Sequence, residues 1–128
     1  MTHPEAIEQE RLIRWCRERA FILPLLQLLI HIPNGGKRDS REAARLKAQG
    51  VRAGVSDLFL PVARHGKHGL WIEMKVKPNK PTTSQKEWLG EMTAQGYGAV
   101  VCYSAEEAES VLMDYLTEWD SKWNEVER

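Results

Sequence analysis

The segment "GLWIEMKVKP", residues 69–78, sets Glu73 and Lys75 two positions apart in an otherwise apolar strand pattern. Side chains alternate across a strand, so Leu70, Ile72, Met74 and Val76 take one face and Trp71, Glu73 and Lys75 the other. On a solvated face a Glu–Lys pair contributes little. A second acid nearby changes the chemistry. Asp57 opens the preceding apolar run, "VSDLFLPV", and a hairpin between the two runs brings it beside Glu73. Two carboxylates converging at a sheet edge offer the hard oxygen ligands that Mg²⁺ or Mn²⁺ prefers. A cation held there can acidify water and neutralise charge building on a phosphate during in-line attack. Lys75, fixed two residues from Glu73, is placed to stabilise that charge or to act as a base. Phosphodiester hydrolysis needs these parts.

The elements that must hold these residues follow from periodicity and punctuation. Pro4 to roughly Ala20 reads as a helix, with Pro4 in the first turn, Glu5, Glu8 and Glu10 near its positive end, and Ile7, Leu12, Ile13 and Trp15 as a packing face. "LLIHIPNGGKR" holds a short strand ended by Pro33 and the turn Asn34-Gly35-Gly36. A second helix is expected over about Ser40 to Gln49, capped by Asp39 or Ser40 and closed by Gly50. The strands "DLFLPVA" and "GLWIEMKV" are joined by the hairpin loop "RHGKHG". "TSQKEWLGEMTAQG" is a third helix, opened by a Ser84–Glu87 capping box and ended by Gly96. "GAVVCY" is a buried-type strand, and Ser104 with Glu107 caps a last helix through "AEEAESVLMDYLTEW". The order α-β-α-β-β-α-β-α describes an α/β domain, a small mixed β-sheet flanked by helices.

At 128 residues, 42% hydrophobic and 28% charged, the chain fits a single domain over residues 1–128 with a real core. Its 18 basic and 18 acidic side chains cancel, so any nucleic-acid surface must be local. Cys16 and Cys102 stand far apart and form no zinc or disulfide framework, which points to the cytoplasm. Phe21 to Ile32 contains Pro24 and Gln27 and is too short to span a bilayer, and the polar start is unlike a secretory signal, so no membrane partner is expected.

The "NGGKR" turn supplies positive φ angles and also lets a phosphate approach backbone amides at a helix start, with Lys37 and Arg38 adding charge. Arg41, Arg45, Lys47 and Arg52 follow closely, and together with Asn34, Gly35 and Gly36 they make a candidate DNA-facing side. The four histidines have no shared metal-ligand spacing. Leu112, Leu116, Trp119 and Trp123 recur at helical spacing, either as core or as a homodimer contact.

Asp57, a spacer and then Glu73-x-Lys75 resembles the signature of the PD-(D/E)xK nuclease superfamily. In order, "HIPNGGKR", "ARLKAQGVRAGVSDLFLP", "GLWIEMK", "SQKEWLGEMTAQGYGAVVC" and "EEAESVLMDYL" resemble the virus-type replication-repair nuclease (VRR-NUC) family over nearly the whole chain, with Ser56 where many relatives have proline. The resemblance implies a restriction-endonuclease-like core and a nuclease dependent on Mg²⁺ or Mn²⁺, with Asp57, Glu73 and the Met74 carbonyl as ligands and Lys75 in catalysis. It also implies a first-helix glutamate near the metal, assigned to Glu8 with Glu5 as competitor, and a site-adjacent Gln85. Stand-alone members resemble dimers that cleave branched DNA such as four-way (Holliday) junctions in DNA repair. The implied setting is a bacterial cytoplasm, or a host cytoplasm for a viral protein. Flap-cleaving or exonucleolytic activity, or a non-catalytic DNA-binding module, are the alternatives.

Overall fold

A computed structural model describes residues 3–33 and 39–117. The elements run α1 (Pro4–Arg19), a 3₁₀ helix (Pro24–Leu28), β1 (Ile30–His31), α2 (Ser40–Ala48), β2 (Leu58–Leu60), β3 (Leu70–Met74), α3 (Thr83–Ala94), β4 (Gly98–Cys102) and α4 (Ala105–Thr117). Apart from the 3₁₀ helix, this is the order expected from the sequence. Pro24 starts that helix within the apolar run and leaves β1 two residues long.

Most caps fall where the sequence puts them. The Asp39 carboxylate accepts from the Glu42 N–H at 2.8 Å, and Gly50 follows α2 with φ +104°. At α4, the Ser104 hydroxyl accepts the Glu107 N–H and the Glu107 carboxylate accepts the Tyr103 N–H. The start of α3 is a correction. Thr82 and Gln85 form the capping box, while Ser84 lies inside the first turn and Glu87 further along the helix.

The four strands lie in the order β1-β2-β3-β4, antiparallel except for β3 with β4, which α3 connects as a parallel crossover. Leu58, Leu60, Leu70, Ile72, Met74 and Cys102 line one sheet face and pack on Leu12 and Cys16 of α1 and on Ala105, Ala108, Leu112 and Tyr115 of α4. Each fully buried Leu or Ile here contributes on the order of 1.5–3 kcal/mol. The opposite face is covered by α3 through aromatic rings: Phe59 stacks on its cross-strand partner Trp71 at 4.2 Å, and Trp88 meets Trp71 edge-on at 5.2 Å. Helix α2 buries no side chain. Among the described residues no helix is long and apolar enough to cross a membrane.

Candidate active site

The strand register builds the site. Leu58 pairs with Ile72 and Phe59 with Trp71, so continuing the antiparallel ladder by one residue sets Asp57 opposite Glu73. On the outer side, the Ile32 N–H donates to the Asp57 carbonyl at 2.8 Å, and on the inner side Glu73 pairs with Val101. Ile32, Asp57, Glu73 and Val101 thus form one row across the sheet, on the face that carries Phe59 and Trp71. Two acids meet between two aliphatic neighbours, where solvation is poor.

Backbone and side-chain bonds lock this row. Asp57 Oδ2 accepts the Met74 N–H at 2.8 Å. The Lys75 N–H, by contrast, donates to the Cys102 carbonyl of β4. A strand residue's N–H and C=O point the same way, so the Met74 carbonyl also faces the Asp57 side. Gln85 Nε2 donates to Glu73 Oε2 at 3.3 Å, while Gln85 Oε1 accepts the Thr82 N–H at 2.9 Å. The capping box therefore fixes which end of the Gln85 amide meets Glu73. Gln85 both starts α3 and orients the acid.

Glu73 is 1% exposed, and its Oε1 has no hydrogen-bond donor among the described residues. Burial, then the neighbouring Asp57 carboxylate, push its pKa from 4.5 up to about 9; Glu5 adds to the rise and Lys75 opposes it. Lys75 is also buried, and no carboxylate among the described residues lies within ion-pair distance of it. The weak solvated Glu–Lys pair is excluded: both groups are buried, and they form no salt bridge.

Glu8, assigned to the site from sequence, has another task. Its Oε1 accepts the Ala105 N–H at 3.0 Å, capping α4, and its Oε2 takes Arg11 at 3.2 Å. Glu5, one turn earlier, acts electrostatically on Glu73 and is held by the Asn79 side-chain amide at 2.9 Å. Of the two first-helix acids, Glu5 is the one whose charge acts on Glu73.

The basic candidates divide. Arg41 and Arg45 are exposed on α2, with Arg45 3.9 Å from Glu42, and Arg52 lies over the Trp88 ring at 5.3 Å. Asn34, Gly35, Gly36, Lys37 and Arg38 lie outside the described residues, as do Trp119 and Trp123. Leu112 is fully buried and Leu116 packs against the same core. His31 Nδ1 contacts the Asp57 carbonyl at 2.9 Å, and His65 is buried against Tyr115.

Among the described residues no three His, Cys, Asp or Glu side chains gather as a metal-ligand cluster. The donor set is two facing carboxylates, one buried oxygen without a donor, and a carbonyl on the same side. That set suits Mg²⁺ or Mn²⁺, since Mg²⁺ is usually held by one or two carboxylates with waters and phosphate oxygens completing its shell. Sequence reasoning missed the role of Thr82 and the place of Ile32 in the row of Asp57.

Residues 4–106 match the VRR-NUC domain family model. A solved structure described as a "VRR_NUC domain protein" superposes with a TM-score of 0.78 at 32% identity, covering 94% of this chain and 95% of that one. No curated protein matches.

Proposed function

The chain belongs to the VRR-NUC domain family, a nuclease-type domain, and on that premise we propose that it is a divalent-metal-dependent DNA endonuclease selective for branched DNA such as four-way junctions. The observation that carries the reading is buried Glu73 facing half-buried Asp57 across the ladder, with buried Lys75 beside it and a Glu73 oxygen lacking a donor among the described residues. A buried acid facing a second acid costs stability in its charged form unless a cation offsets it. Asp57, Glu73 and the Met74 carbonyl would hold the ion, with Glu5 adding negative charge nearby.

When bound, Mg²⁺ or Mn²⁺ supplies charge neutralisation at the phosphate and eases deprotonation of water. Gln85 keeps the Glu73 carboxylate in one orientation, and the Asp57–Met74 bond does the same for Asp57. Lys75, with no carboxylate in ion-pair distance among the described residues, has its ammonium available to the phosphate oxygens. The aliphatic neighbours Ile32 and Val101 limit water around these groups, which strengthens each electrostatic contact. Cutting paired strands of a junction calls for two such sites, so a homodimer belongs to the same reading.

The test is cleavage of linear, flap and four-way substrates with Mg²⁺ or Mn²⁺. Paired nicks in the four-way substrate, with metal, are expected. Preference for flaps or free ends would reassign the substrate, and inactivity on every substrate with both metals would overturn the enzymatic reading.

A further inference from the structure

We propose that the groove on the outer side of Asp57 receives one unpaired nucleobase, so that a nucleotide freed from pairing is held next to the scissile phosphate. The inference rests on the nuclease reading and adds to it how DNA that is not fully paired would be recognised.

The groove has a volume of about 330 Å³ and is lined by Ile32, Pro33, Val51, Val55, Trp88 and Arg52. That volume suits a small planar group. Its position follows from the sheet register: Ile32 occupies the row of Asp57 and Glu73, and Val55 lies two residues before Asp57 in the loop that leads into β2. Trp88 lies three residues beyond Gln85, which bonds Glu73, so one helix touches both the acid and the groove.

The walls are held in place. Gly54, at φ +89°, packs so tightly that a Cβ there would lie 2.4 Å from the Ser84 carbonyl oxygen, which ties the 50–56 loop to the first turn of α3. Val51 remains 39% exposed, an apolar surface beside a basic side chain. Arg52 is exposed, with its guanidinium over Trp88 at 5.3 Å. An aromatic ring behind a planar guanidinium forms a stacking surface for a base. The buried Trp88 Nε1–H has no acceptor among the described residues. The guanidinium charge also draws the polyanion that carries the base. Apolar walls, a guanidinium over an aromatic ring and nearness to the two acids that would hold the metal together select a nucleobase over a peptide.

The experiment measures the affinity of the full chain, in EDTA, for two duplexes of one sequence: one fully paired and one with a single unpaired nucleotide. Stacking of one base predicts roughly tenfold tighter binding of the second. Val51→Trp, which fills the groove, should bring the ratio of affinities close to one. Arg52→Lys, which keeps the charge but loses the planar surface, should lower the ratio several-fold. Melting curves confirm that both variants fold, and Arg52→Lys decides the matter if Val51→Trp does not. A wild-type ratio near one in a protein that still cleaves DNA with Mg²⁺ would overturn the groove assignment alone. So would a ratio unchanged in the folded variants. A wild type that neither binds nor cuts any DNA would overturn the nuclease reading and this inference together.

Discussion

On the side of the β2–β3 hairpin that faces α1 and α4, Leu58, Leu60, Leu70, Ile72 and Met74 are apolar and sealed. On the side that faces α3, the same strands run from the stacked pair Phe59 and Trp71 to the charged group Asp57, Glu73 and Lys75. One face stabilises the fold. The other holds two acids and a lysine, with Glu73 and Lys75 buried and Asp57 half-buried, which no stability argument requires. Alternation lets the fully buried face immobilise the strands while the other keeps unmet chemistry at its end.

The largest separation between the faces should come from exchanging damage. Glu73→Ala or Lys75→Ala should reduce cleavage by about 10³-fold or more while the melting temperature holds or rises, as removal of a buried ionisable group that forms no ion pair allows. Ile72→Ala should do the reverse, costing about 2–5 kcal/mol of stability with catalysis surviving in the folded fraction. Paired thermal melts and cleavage assays check both. A Lys75→Ala protein that cleaves normally would collapse the contrast.

The two glutamates of α1 sharpen it further. Glu5→Gln should slow cleavage by about tenfold or more through its influence on Glu73. Glu8→Gln should lower stability by about 1 kcal/mol through the α4 cap, with turnover nearly unchanged. Cleavage rates and urea unfolding of the two variants distinguish these outcomes.

A smaller effect concerns pH. Without metal the Glu73 carboxyl is pushed from 4.5 up to about 9, so the fold favours its protonated form. The stability this group provides is complete below pH 4.5 and is lost as pH rises towards about 9. Relative to wild type, Glu73→Gln should therefore gain melting temperature steadily across that interval. Added Mg²⁺ should close the gap by stabilising wild type. A difference that stays flat with pH would contradict the burial of this acid.

Much of this site was legible from local pattern. Alternation in "LWIEM" separated Glu73 from the core residues, and two apolar runs around a glycine loop gave the hairpin that brings Asp57 to it. What depends on tertiary phase was not. Glu5 and Glu8 lie one turn apart on α1, and the way that helix docks on the sheet and α4 decides which one's charge acts on Glu73 and which one caps α4. The α3 cap failed for a related reason: Thr82-x-x-Gln85 and Ser84-x-x-Glu87 are overlapping frames, and the first is used with Gln85 also reaching Glu73. The 3₁₀ helix was hidden because a Leu-rich stretch reads equally as strand until Pro24 is weighed.

On the proposed function, Asp57, Glu73 and the Met74 carbonyl would hold a divalent cation. Anomalous diffraction from crystals of the protein grown with DNA and Mn²⁺ tests it most directly. A peak is expected at coordination distance, roughly 2.0–2.2 Å, from an oxygen of each of the three. A peak elsewhere on the protein, or none at these residues in crystals with DNA bound, would contradict it.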